Sequence, residues 1–91
     1  MVTVINRLRV TGDEAEFRRV LAEITAYMTA QQGFVSHQLY RSVRRPEVFI
    51  ETAEWAEASA HRAALLDPRF ADWIRELGKH AEAEPDVFQP A

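Results

Sequence analysis

The chain has no cysteine, only three glycines, and no apolar run approaching the roughly 20 residues that span a bilayer. Without thiols there is neither a disulfide framework nor a sulfur-ligated metal or redox site. Together with the absence of a charged-then-apolar N-terminal leader, this leads us to expect a cytoplasmic protein. The glycines are widely separated, so no phosphate-cradling loop can be assembled. His37, His61 and His80 show none of the paired spacings that put two ligands on one helix face, and no metal is expected. Positive charge is also scarce: 11 basic against 14 acidic residues give a net charge of −3. The basic residues are dispersed rather than striped, which argues against nucleic acid as a partner. The one local cluster, Arg41, Arg44 and Arg45, reads as the solvated end of a hairpin.

What is present is a regular alternation of strand and helix patterns over 91 residues, too few for two cores, so residues 1–91 are read as a single domain. A domain this small buries only about 60–65% of its unfolded surface, and with no disulfide to compensate, self-association is expected. Val2 to Val10 alternates as a strand, with Asn6 among the aliphatics. Thr11-Gly12-Asp13-Glu14 offers a capping box with Thr11 as N-cap. Phe17, Val20, Leu21, Ile24, Tyr27 and Met28 then recur at helical spacing to about Gln31, where Gly33 supplies the stop. Phe34 to Val43 alternates with Phe34 and Tyr40 on one side and His37 and Leu39 on the other. Arg44-Arg45-Pro46-Glu47 turns the chain back into a strand from Val48 to Trp55. A short alanine-rich helix from Ala56 to Leu66 follows. Asp67-Pro68 opens another helix, with Asp67 as N-cap and Phe70, Trp73, Ile74 and Leu77 on its apolar side. Residues 86–89 suit a short, proline-bracketed edge strand. The order is that of an α+β, ferredoxin-like split βαβ fold with a four-stranded antiparallel sheet.

The stretch from Phe49 to Trp55 carries the chemistry. Strand alternation puts Phe49, Glu51, Ala53 and Trp55 on one side, leaving a carboxylate beside an indole on an otherwise apolar face. Burying an unpaired ionised group is costly, so such a residue is either paired or functional.

Over nearly its whole length the chain resembles the antibiotic biosynthesis monooxygenase family, and within it the small members from aromatic polyketide pathways. The resemblance rests on Val4-Ile5-Asn6-Arg7-Leu8-Arg9-Val10, Gln32-Gly33-Phe34-Val35, Ala53-Glu54-Trp55 and Leu66-Asp67-Pro68-Arg69-Phe70, in that order and spacing. It implies a homodimeric α+β barrel whose active sites oxidise anthrone-like substrates to quinones with O2 and no flavin, haem or metal. By matched position it also implies roles for Asn6, Trp55, Tyr40 and Arg75. Two positions depart from the family pattern: Glu51 stands where relatives carry Asn, and His61 where at least one has Tyr.

Taken together, these readings make Glu51, Trp55, His61 and Asn6 the candidate catalytic residues, with Glu51 or His61 as base, and Tyr40, Arg75 and Phe49 candidate substrate contacts. Trp55 and Phe49 would wall an apolar cavity for flat rings, and Arg75 would hold an anionic oxygen. The small-molecule partners expected are an aromatic polyketide and O2. Each residue also has a plainer reading. Trp55 is a core indole; Glu51 pairs with Arg75 or an arginine of a partner. His61 is solvated; Asn6 satisfies a backbone group; Tyr40 packs across strands; Arg75 belongs to a surface charge row. His37 and His80 read as surface residues. A cyclase or isomerase using Glu51 and His61 as an acid/base pair, and a non-catalytic dimer that binds a reactive intermediate, are the alternative functions.

Overall fold

The computed structural model describes all residues from Met1 to Ala91. Strand β1 spans Val2–Val10, helix α1 Glu14–Thr29, β2 Phe34–Arg41, β3 Val48–Trp55, α2 Ala58–Ala64, α3 Pro68–Leu77 and β4 Ala81–Phe88. The four strands form one sheet in the order β2-β3-β1-β4, and every neighbouring pair is antiparallel. The α+β, ferredoxin-like fold expected from the element order is the one observed. All helices cover one face of the sheet, and the molecule is only 17 Å thick, a single layer of helices on a single layer of strands.

Local chemistry explains the element ends. The N-cap of α1 is Asp13, whose carboxyl accepts a hydrogen bond from the backbone N–H of Glu16 at 2.9 Å, so the capping box expected at Thr11 is displaced by two residues. Asp13 is the stronger cap because an anion there also meets the positive end of the helix dipole. The cap expected at Asp67 is present: its carboxyl accepts from the Arg69 N–H, with Pro68 at the start of α3. Gly33 has φ +90°, and a Cβ there would stand 2.5 Å from the Ala60 side chain, so only glycine can close the turn from α1 into β2.

Strand β4 is longer than its sequence suggests. Ala81-Glu82-Ala83-Glu84 has a helical look and Pro85 resembles a break, yet the whole segment pairs with β1 from Val10 opposite Ala81 to Thr3 opposite Phe88. At the sheet edge Pro85 has no second neighbour that needs its missing N–H.

Register decides what each face carries. Asn6 lies directly opposite Glu51 on one side and Pro85 on the other, and Leu8 opposite Phe49 and Ala83. A bulge between Phe34 and Ser36 inserts Val35 and reverses the alternation of β2. As a result Phe34, His37 and Leu39 point to the helices, while Tyr40 points away from them. At one end of the helix-covered face Leu8, Phe17, Val20, Leu21, Phe49, Leu77 and Ala81 pack into a closed core, with the Phe17 and Phe49 rings 5.2 Å apart. The opposite face of the sheet has no layer over it. Ile5 and Ile50 are only half-buried, and Tyr40 and Phe88 are exposed.

Candidate active site

Two residues along each strand from the closed core, the packing opens. Moving from Leu8 to Asn6 on β1, and from Phe49 to Glu51 on β3, the side chains pass from solid core into a cavity of about 510 Å3 between the sheet and all three helices. Its lining is largely apolar: Val4, Leu21, Ile24, Met28, Phe34, Ala53, Trp55, Leu65, Phe70, Ile74, Leu77, Ala83 and Val87 among others. The volume and the apolar walls suit a flat, multi-ring guest. A second hollow of about 630 Å3, between the end of α1 and α2, is lined by alanines, glutamines, Ser59 and Glu57, and offers no aromatic wall.

Trp55, at the end of β3, is 1% exposed and forms the floor at one end of the cavity. The Phe34 ring meets it edge-on at 5.4 Å, and the His61 ring of α2 stands against it at the same centroid distance. These contacts lock the indole plane, so it is at once a core residue and a cavity wall.

Glu51 is half-buried in this lining with no guanidinium beside it. The Thr25 hydroxyl of α1 donates to Glu51 Oε2 at 3.2 Å. Loss of solvation pushes the Glu51 carboxyl above the ordinary carboxylate range, a rise that the Thr25 hydrogen bond and the nearby His37 partly offset. The pairing of Glu51 with Arg75 weighed from sequence is absent. His61 moves the other way, because burial and the positive charge of Arg62 both depress its pKa and favour the neutral imidazole. Asn6, next to Glu51 across the strands, lines the cavity with its Oδ1 buried and without a hydrogen-bond partner. An amide oxygen left bare in this way is open to a ligand donor, since buried polar atoms are ordinarily paired, and it makes no hydrogen bond to the backbone.

The fold therefore brings together Asn6, Glu51, Trp55 and His61. It does not bring the other three candidates to the cavity within this chain. Tyr40 is 55% exposed on the uncovered face of the sheet, carried there by the bulge at Val35. Arg75 faces outward from α3, where its guanidinium bonds Asp72 at 2.9 Å. Phe49 is sealed in the closed core, with the guanidiniums of Arg18 and Arg41 over its ring, and supports the site only by fixing β3.

Two further residues line the cavity. His37 is exposed, as expected, and also stands at the cavity rim beside Glu51, because the bulge returns it to the helix side. Thr25 had a signal: it follows Leu21 by four residues and precedes Met28 by three, a hydroxyl inside the apolar stripe of α1. No helix of the chain is long and apolar enough to cross a membrane.

Comparison with known proteins gives four findings. The family model described as antibiotic biosynthesis monooxygenase matches residues 1–76. Deoxynogalonate monooxygenase of Streptomyces nogalater is 34% identical over 87 residues, covering 96% of this chain and 74% of that protein. The crystal structure of SnoaB, a cofactor-independent oxygenase from Streptomyces nogalater, superposes with a TM-score of 0.91 at 33% identity over 99% of this chain and 92% of that one. A conserved protein from Methanosarcina mazei Go1 shares the fold with a TM-score of 0.88 at 15% identity, covering 99% of this chain and 92% of that one.

Proposed function

The chain belongs to the antibiotic biosynthesis monooxygenase family, and from that premise we propose that it oxidises an anthrone-like aromatic polyketide to a quinone with O2, without flavin, haem or metal, using Glu51 as the base. The observation that carries this reading is the juxtaposition of a desolvated carboxyl, an unpartnered amide oxygen and an indole wall in one apolar cavity.

An anthrone carries a methylene between two aryl rings, and the carbanion left by its deprotonation is delocalised onto the ring oxygen. Glu51 takes that proton. Burial supports this role because a carboxylate whose pKa is raised toward neutrality is both ionised and basic enough to accept it. The electron-rich anion passes one electron to O2, and the resulting radical and superoxide combine to form a carbon–oxygen bond. Loss of the second methylene proton then breaks the O–O bond. One oxygen atom stays as the new carbonyl and the other leaves as water, so the methylene gives up four electrons and O2 accepts four.

The remaining residues bind and orient. Trp55 and Phe34 hold the ring plane, Asn6 accepts a hydrogen bond from a phenolic hydroxyl, and neutral His61 donates or accepts at the ring edge without adding charge. The apolar walls exclude water, which protects the carbanion from reprotonation and the peroxide from hydrolysis. The uncovered sheet face, with Ile5, Ile50, Tyr40 and Phe88, is the surface we assign to a second copy of the chain, giving a homodimer. Tyr40 then serves assembly rather than binding.

The test is turnover of a dihydroxyanthrone by the purified, chelator-treated protein with and without O2. Quinone formation should stop in anaerobic buffer and return on admitting air. Conversion at the same rate without O2 would overturn the oxygenase reading.

A further inference from the structure

One titratable neighbour links Glu51 to solvent. The register sets His37 of β2 opposite Ala53 and Leu39 opposite Glu51, so His37 and Glu51 are diagonal neighbours on the helix side of adjacent strands. Diagonal pairs lie about 7–8 Å apart, a gap that long side chains close directly or through one water. His37 is exposed and stands at the rim of the cavity that Glu51 lines. Its imidazole packs beside the Phe34 ring, with centroids 6.0 Å apart, which holds it there. Once protonated, its charge favours the ionised form of Glu51.

The other groups around Glu51 do not offer such a path. The Thr25 hydroxyl donates to Glu51 Oε2 from the apolar stripe of α1, and Asn6 is an amide, a hydrogen-bonding group without acid–base chemistry near neutral pH. His61 stands against Trp55, whose Cα is roughly 13 Å along β3 from that of Glu51 at the usual strand rise. Asp86 lies opposite Ile5 and so belongs to the uncovered face of the sheet. The nearby cations are engaged: Arg18 and Arg41 pair with Glu14 over the Phe49 ring, Arg69 with Asp67 and Arg75 with Asp72.

The proposed oxidation needs an outlet of this kind. Both methylene hydrogens leave carbon as protons, one after the other, and they are balanced by the two protons that turn the departing oxygen into water. A single carboxyl cannot accept the second while it still holds the first.

We propose that His37 empties Glu51 between the two abstractions, carrying the proton from the carboxyl to solvent at the cavity rim. This rests on the reading of Glu51 as the base. In the transfer the O–H bond of Glu51 breaks as an N–H bond forms on the unprotonated ring nitrogen of His37, and the imidazolium then releases the proton of its other nitrogen to water. Carboxylate and neutral imidazole are restored and no electron moves. Histidine suits the task because it gains and loses a proton readily near neutral pH.

The experiment is anaerobic wash-in of deuterium from heavy water into the methylene of a dihydroxyanthrone, corrected for exchange without protein. Wild type, His37→Gln and His37→Ala are compared at equal bound anthrone, set by an anaerobic titration read through quenching of tryptophan fluorescence. A base with an outlet returns solvent deuterium to the carbanion, whereas a base without one returns the proton it has just taken. Wash-in should fall at least about tenfold in both variants, the low end of what a positioned proton-transfer group contributes, and added imidazole should restore it in His37→Ala. Wash-in at the wild-type rate in His37→Gln would overturn the proposal. So would a loss in His37→Ala that imidazole does not repair, since it would assign the effect to the packing against Phe34. A wild type that forms quinone in air yet shows no wash-in would overturn the outlet and leave the oxygenase reading standing. A wild type that neither forms quinone nor exchanges the methylene would overturn Glu51 as the base, and the outlet with it.

Discussion

The Thr25 hydroxyl donates its hydrogen bond to Glu51 Oε2 across the gap between α1 and β3, at 3.2 Å, and leaves the second carboxyl oxygen free to receive a proton. This contact does two things. It fixes the carboxyl rotamer, and it favours the ionised form that a base must have, against the desolvation that opposes it.

Replacing Thr25 by Val removes the donor at nearly constant volume. The acid limb of the kcat/KM profile should then move to higher pH, because the carboxylate loses the group that stabilises its charge, and activity on that limb should fall about tenfold, the scale of one hydrogen bond to a charged group. Thr25→Ser keeps the hydroxyl and should restore the wild-type profile. A profile that stays in place in Thr25→Val would show that the hydroxyl does not act on the base.

The same carboxyl carries a cost in stability that depends on pH. Burial raises its pKa in the folded chain above the ordinary value of 4.5, so the folded state holds the proton more tightly than the unfolded state does. Stability from this group therefore falls as pH climbs from its ordinary value through the raised one, and stays reduced above it. Glutamine is neutral throughout. Glu51→Gln should melt at a higher temperature than wild type at about pH 8, and the difference should vanish near pH 4. A melting temperature below that of wild type at pH 8, with the difference shrinking toward pH 4, would mean that Glu51 is held by favourable charge interactions instead.

Asn6 illustrates the tension between site and fold. Its buried, unpartnered Oδ1 is a desolvated acceptor with nothing to accept from in the free protein. Asn6→Leu should raise stability by about 1–3 kcal/mol, the usual penalty of such a group, while weakening binding of phenolic ligands. Urea unfolding and the anthrone titration check the two halves. A destabilised Asn6→Leu would indicate that the amide has a structural partner after all.

The uncovered sheet face predicts the assembly. Ile50 sits between Tyr40 and Arg7 across the strands on that face, and Ile50→Arg should convert a dimer to a monomer in sedimentation at micromolar concentration while leaving the helix-side core untouched. A wild-type chain that sediments as a monomer contradicts the assignment of this face to a second copy.

Much of this was legible in the sequence because strand alternation is strict where no residue is inserted. Phe49, Glu51, Ala53 and Trp55 do share the helix-facing side, and Asn6 does sit among the aliphatics of β1 opposite Glu51. Alternation misled at β2, where the extra residue at Val35 reverses parity. That one insertion carries Tyr40 to the uncovered face and brings the exposed His37 to the cavity rim, and no local propensity marks it. Arg75 was misplaced for another reason: a position next to Ile74 in a helix lies about a quarter-turn off the apolar stripe, far enough to reach Asp72 and solvent rather than the cavity. The β4 strand was underestimated since alanine and glutamate prefer helix until a sheet edge supplies a partner. Thr25 shows that a contact between elements distant in sequence leaves only a faint trace, a polar side chain in an apolar stripe.

The proposed reaction begins with a proton taken by Glu51 so that O2 can react with the bare ring carbanion. The most direct measurement is the mass of the quinone formed from a dihydroxyanthrone under isotopically heavy O2, by wild type and by Glu51→Gln at equal bound substrate. Wild type should place one heavy atom in the product, and Glu51→Gln should bind the anthrone yet form quinone about 10²–10⁴-fold more slowly, the usual worth of a general base. Product oxygen drawn from water, or a Glu51→Gln rate equal to wild type, would contradict it.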